Sequence, residues 1–206
     1  MRRLRPGSRV RRQGHEEARR ERGAVLVEFT AFATLLITLV FGIAEFGFGW
    51  QDRMTVETAA RAGARTGSSV GKERLADYAL LEGVRTVLEE VGIDNVDLVV
   101  VYKATSSDGA VPEACKNGTP LNGVCNVYTA GHLASLSPAM FGGSTGCSGS
   151  APDRYWCPTT RKTVQSQGTD YIGVYVKATL PTVTNLFGSA RTVSTKAVMR
   201  LEPAEG

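Results

Sequence analysis

The stretch from Ala24 to Trp50 reads AVLVEFTAFATLLITLVFGIAEFGFGW, and its only charges are Glu28 and Glu45. As a helix rising 1.5 Å per residue it reaches about 40 Å, and about 20 apolar residues suffice to cross a bilayer. Core helices of globular domains are rarely this long and this uniformly apolar, so the sequence predicts a membrane-spanning helix over 24–50. Its flanks set the direction. Nine of the 24 basic residues fall in the first 22 positions (Arg2, Arg3, Arg5, Arg9, Arg11, Arg12, Arg19, Arg20 and Arg22), against Glu16, Glu17 and Glu21. Asp52 and Arg53 nearly cancel at the other end. The positive-inside rule therefore predicts a cytoplasmic N-terminus and an extracytoplasmic C-terminal domain. The basic head accounts for the whole excess of positive charge, since the rest of the chain is slightly acidic, so the composition gives no argument for a nucleic-acid partner. Phe46, Phe48 and Trp50 cluster at the outer end, either as interface anchors or as packing residues.

Two features exceed what a plain anchor needs. Thr30, Thr34, Thr38 and Gly42 recur at spacings of four and make one helix face small and weakly polar, a surface suited to close approach of another helix. Glu45, seven residues after Thr38, lies close to that face, and ionisable groups in an apolar span are costly unless they find partners.

The junction between head and span reads RGAVLVEF from Arg22 to Phe29, with a glycine ending the basic run and a glutamate at the fifth residue beyond it. It is followed by FGIAEFG (41–47), AARAGAR (59–65) and a closing MRLEP (199–203). In these segments the chain resembles the TadE-like family, minor pilins or pseudopilins of the tight-adherence, Flp-type pilus machinery. The resemblance implies cleavage between Gly23 and Ala24 by a membrane-embedded prepilin peptidase. It further implies assembly through the hydrophobic helix with other pilin-like subunits and the pilus assembly platform, and pairing of Glu28 with the new amine of a neighbouring subunit. A glycine suits such a cut because it extends readily into an active site. The assembly residues on this reading are Glu28, Phe29, Thr30, Thr34, Thr38, Gly42 and Glu45. Residues 105–170 carry no motif of the family.

Past the membrane the helix continues. Arg53, Glu57 and Arg61 alternate in sign at i,i+4 spacing, and Val56, Ala59, Ala60 and Gly63 form a small packing face. A second helix is predicted over Glu73 to Val91 from Leu80, Val84, Val87, Leu88 and Val91, with Gly92 as its C-terminal cap. The pattern then changes to period two. Val96, Leu98, Val100 and Tyr102 are expected on one face of a strand, as are Ile172, Val174, Val176, Ala178 and Leu180 on a second. Val193, Thr195, Ala197, Met199 and Leu201 repeat the pattern on a third. The fold class is therefore α+β, with at least three antiparallel strands packed on helix. The expected organisation is a leader over 1–23, a span over 24–50 and an extracytoplasmic domain over 51–206, with a loop-rich insert over 105–170.

That insert holds nine of the 23 glycines, five of the eight prolines and all four cysteines, so ordering it needs help beyond periodic structure. Cys115 and Cys125 are ten apart, as are Cys147 and Cys157. An extracytoplasmic location favours disulfides, and zinc prefers CxxC-type pairs that are absent here. Three pairings are open, the two local ones being favoured by proximity.

Catalytic signals are weak. His132 is the one histidine beyond the head; it stands in the insert with no carboxylate near it in sequence and reads as a solvated side chain. No GxSxG, phosphate loop, HExxH or calcium loop occurs. A structural subunit without cofactor or metal is the expected role. A membrane-anchored module that binds a ligand through its insert is the alternative.

Overall fold

The computed structural model describes residues 9–141, 147, 149–164, 168–184 and 188–203, with side chains from Gly23 onward. The basic head therefore lies outside the described side chains. The chain divides into two units, one ending at Gly47 and one beginning at Phe48, and helix α1 (Arg9–Val70) contributes to both.

In the first unit Val25, Leu26, Phe29, Phe32, Leu35, Ile43 and Phe46 are all more than 60% exposed. A helix with this many large apolar side chains exposed matches a lipid or helix partner, not a globular core. Among the described residues it is the one helix long and apolar enough to cross a membrane.

The second unit is α+β. Helix α2 (Ala76–Leu88) lays Leu80, Leu81, Val84 and Leu88 fully buried against the sheet and α1. Burying a side chain of that size stabilises by roughly 1.5–3 kcal/mol. From α1 come Val56, Ala59, Ala60 and Ala64, all fully buried. Two glycines let the helices and sheet close in. A Cβ on Gly63 would run into the Val84 side chain, and one on Gly67 would lie 2.6 Å from Leu80 and 2.8 Å from Ile172. The AARAGAR segment is thus a packing surface for α2 and the sheet.

Strands β1 (Val96–Ala104), β2 (Cys125–Tyr128), β3 (Tyr171–Pro181) and β4 (Ala190–Arg200) form one antiparallel sheet in the order β2-β1-β3-β4. The faces expected of the second and third strands hold: Ile172, Val174, Val176, Ala178, Leu180, Val193 and Leu201 are buried in the main core, with Ala197 and Met199 packed against it.

The first strand differs from expectation. Its register shifts between Val96 and Leu98, so Val96 joins Val99 and Val101 in the main core while Leu98, Val100 and Tyr102 face the other way. Both faces of β1 are covered, and a strand buried on both faces loses the alternation that period-two reading depends on. On its second face a smaller cluster gathers Leu98, Val100, Tyr102, Ala104, Val111, Cys115 and Cys125. Tyr102 lies across Gly173 of the neighbouring strand, where any side chain would meet its ring, and its hydroxyl donates to the Gly109 carbonyl at 3.1 Å.

Gly92 also departs from expectation. Helix α2 ends four residues earlier, where the Glu89 N–H bonds back to Arg85 and Val87. Gly92, at φ +86°, instead opens the 3-10 turn Ile93–Asn95 that leads into β1. A positive φ is what this corner needs from glycine.

The described residues of the insert include regular structure. The insert contributes α3 (Glu113–Lys116), β2 and α4 (Ala130–Ala134), and its cysteines pair locally as Cys115–Cys125 and Cys147–Cys157. In the chain-entropy model each closure of a ten-residue loop stabilises by roughly 2–3 kcal/mol.

Candidate functional site

The helix face singled out in the sequence has a definite hydrogen-bond state. Thr30 Oγ1 donates to the Val27 carbonyl at 2.9 Å, Thr34 Oγ1 to Thr30 at 2.6 Å and Thr38 Oγ1 to Thr34 at 2.8 Å. Each hydroxyl is satisfied within its own helix, so the strip presents methyl groups outward. Gly42 ends it as a flat position, where an added Cβ would meet nothing within 4 Å. From Thr30 to Gly42 the strip is about 18 Å long. Its chemistry is close apolar packing, with little call for interhelical hydrogen bonding.

The two glutamates differ. Glu28 is exposed, one turn beyond Ala24 on the same face, while Glu45 is 5% exposed and not without a partner. Gly23 and Ala24 are exposed within α1. Extending the chain into a peptidase there requires local unwinding, which a glycine eases by about 1 kcal/mol relative to alanine.

A second constellation, absent from the sequence reading, lies in the other unit and centres on Asp77 in the first turn of α2. Its carboxylate accepts from Asn126 Nδ2 at 2.8 Å, from the Tyr128 hydroxyl at 2.6 Å and from Arg161 Nη2 at 2.5 Å. Asn126 then clasps the Trp156 backbone, donating to its carbonyl at 2.9 Å and accepting from its N–H at 2.8 Å. The Arg161 guanidinium lies 4.3 Å from the Trp156 ring centre. Asp77, Asn126 and Tyr128 are fully buried, and Arg161 and Trp156 are 3% exposed. The network is closed to solvent. It anchors the segment around Trp156 and Arg161 to α2 and β2, and the Cys147–Cys157 bridge closes the loop holding Asp153 and Trp156.

Burial and the neighbouring Asp77 and Asp153 carboxylates push the Tyr128 hydroxyl well above its usual range, so it stays a donor. Asp153, fully buried, is pushed up to about 6 by burial first and Asp77 second, against the pull of Arg161 and Arg74. Among the described residues its Oδ1 has no hydrogen-bond partner, nor do Nε and Nη1 of Arg161 or Oγ1 of Thr163. His132 is half-buried, not solvated: its Nδ1 accepts the Thr129 N–H at 3.0 Å, capping α4. Burial lowers its pKa, which favours the neutral ring that such a cap requires. Among the described residues no group of three or more His, Cys, Asp or Glu side chains is arranged to hold a metal ion.

One signal for the buried network was legible. Asp77 falls three and four residues before Leu80 and Leu81, on the apolar stripe of its helix, where a charge demands a partner. The partners lie 49, 51 and 84 positions away, beyond the reach of local pattern.

A family model described as TadE-like protein matches residues 23–65, about a fifth of the chain. The resemblance read from the sequence thus holds over RGAVLVEF from Gly23 onward, FGIAEFG and AARAGAR; MRLEP lies outside the match. No curated protein and no solved structure matches the chain.

Proposed function

We propose that the chain is a pilin-like structural subunit, a minor pilin or pseudopilin of a tight-adherence, Flp-type pilus or a related secretion assembly. The observation that carries this reading is the TadE-like match over 23–65, which spans the glycine–glutamate junction and the apolar helix. On this reading residues 1–23 are a cytoplasmic leader, 24–50 cross the cytoplasmic membrane, and 51–206 stand outside as a domain with the insert 105–170. The role is assembly, not catalysis. The threonine–glycine strip packs against the helices of other pilin-like subunits, and the assembly platform is the further partner.

A prepilin peptidase removes the leader between Gly23 and Ala24. The freed Ala24 amine is positive at neutral pH. A carboxylate at the bilayer edge costs less than the roughly 2.5–3.5 kcal/mol of an aspartate at the centre, and an ion pair with a neighbour's amine offsets it. N-terminal sequencing of protein from native membranes is expected to give Ala24 as the first residue. A chain still starting at Met1 or Arg2 beside an active prepilin peptidase would remove this reading and favour a plain membrane anchor.

Glu28→Gln keeps size and hydrogen bonding but removes the charge. Insertion and cleavage are expected to persist, while crosslinking to other pilin-like subunits falls about fivefold, the equivalent of a pair worth about 1 kcal/mol. Glu45→Gln serves as the comparison, since Glu45 lies about 30 Å along the helix from Ala24. Unchanged crosslinking in Glu28→Gln would assign association to the threonine–glycine strip alone.

A further inference from the structure

In the unit beginning at Phe48, the outer face of α1 and α2 carries opposite charges at matched heights, and we infer that it docks on the same face of a second copy of this chain. The product is a two-fold dimer in which α1 of each copy lies on α2 of the other. The inference goes beyond the assembly role proposed above and does not rest on it.

The heights follow from contacts inside one copy. Thr55 Oγ1 donates to Glu90 Oε2 at 3.5 Å, and a Cβ on Gly63 would run into Val84. A Cβ on Gly83 would lie 3.3 Å from Thr66 Oγ1, and one on Gly67 2.6 Å from Leu80. The two helices therefore run side by side in opposite directions, so that ascending α1 matches descending α2. On that scale Arg65 is level with Glu82, Thr58 with Glu89, and Arg53 with the turn that holds Asp94.

The charges on this face are sorted by helix. Residues 53–65 contain three arginines against Glu57, and residues 82–94 contain four acids against Arg85. Both minority charges are already taken within their own helices, Glu57 by Arg61 and Arg85 by Glu89. Arg53, Arg65, Glu82 and Asp94 are all exposed, and among the described residues none of the four forms an ion pair. The unpaired cations and the unpaired anions are thus the groups that stand at equal height.

A two-fold axis parallel to the helices turns this face onto itself, keeps every height and exchanges the two sides. Arg65 then meets Glu82 of the second copy and Arg53 approaches its Asp94, each contact occurring twice, while both α1 helices point the same way. Laying α1 on α1 instead would set arginine against arginine. The surface between the charges is small, with Thr58 and Ala62 on α1 and Gly83 and Thr86 on α2, which permits close approach of helices. Met54, 46% exposed, adds apolar area at the height of the half-buried Val91 and Ile93. A second copy is the occupant this geometry favours, because the complement in sign and in height is carried by the chain itself. Exposed ion pairs are individually weak, so they select partner and register and the dimer they hold is a weak one.

The test uses the full chain with its disulfides intact in a non-ionic detergent, its mass followed by sedimentation equilibrium. Arg65→Glu and Glu82→Arg are made singly, with circular dichroism to verify that each is folded. The wild type is expected as a dimer whose dissociation constant rises at least about threefold between roughly 50 and 500 mM salt. Each single variant brings like charges together twice, and its constant is expected to rise about tenfold or more. An equimolar mixture of the two variants should regain wild-type affinity, because reversed charge then meets reversed charge and native meets native. A wild type that stays monomeric up to on the order of 100 µM would overturn the inference. Equal association of the wild type and both variants would assign the contact to the apolar helix and overturn it as well. Failure of the mixture to recover, or growth of the wild type beyond two chains, would overturn the two-fold pairing.

Discussion

Asp77→Ala is expected to lower the stability of the sheet-bearing unit by about 3–5 kcal/mol, the cost of stripping one partner from a buried ion pair. The substitution removes the carboxylate paired with Arg161, and it deprives Tyr128 and Asn126 of an acceptor at the same time. Thermal unfolding of the full chain, followed by circular dichroism, measures this directly. Arg161→Met in the Asp77→Ala background should recover part of the loss, because removing both charges is cheaper than orphaning one. A loss below about 1 kcal/mol for Asp77→Ala would mean that the loop carrying Trp156 is held by its disulfide and the Asn126 clasp, not by the Asp77 carboxylate.

Asp153→Asn should act in the opposite sense. The folded protein holds this carboxyl near pKa 6, above its ordinary 3.8. Well below pH 3.8 both states are protonated and the carboxyl costs nothing. As pH rises from about 4 to 6 the unfolded chain ionises first, so stability falls, and above 6 the penalty is constant at up to roughly 3 kcal/mol. Asparagine removes the ionisation, so the variant is expected to be the more stable protein at pH 7 and indistinguishable or weaker at pH 4. Denaturant unfolding at the two pH values gives both numbers. Equal pH dependence in variant and wild type would show that Asp153 does not carry this linkage.

What the sequence revealed followed from periodicity. The apolar stretch from Ala24, the α2 stripe and the alternation in β3 and β4 each repeat over enough residues to declare themselves, and the α+β class follows from them. Strand β1 hid one face because Val99, Val100 and Val101 serve two cores at once. Strand β2 is four residues long and α4 five, too short for either period to register. The assembly face was legible as Thr30, Thr34, Thr38 and Gly42, but the inward bonding of its hydroxyls was not, since composition does not fix a rotamer. The Asp77 network was nearly invisible, because Arg161 joins it from a loop whose neighbours show no pattern.

The Ser68 hydroxyl on α1 donates to the Arg200 carbonyl at 2.5 Å and the Ser68 carbonyl accepts the Glu202 N–H at 3.0 Å, a clamp that governs how this chain reaches its final form. Synthesis delivers α1 before β4, and β1 waits through the entire insert for the partner on its β3 side. Until Tyr171 to Pro181 has been made, Val99 and Val101 have α1 and α2 to lie on but no neighbour on that flank. The ribosome must pass Arg200 before α1 is locked at Ser68. A stop codon between Pro181 and Ala190 would yield a product with α1 and β3 made, β4 missing, and an unpaired β3 edge open to aggregation.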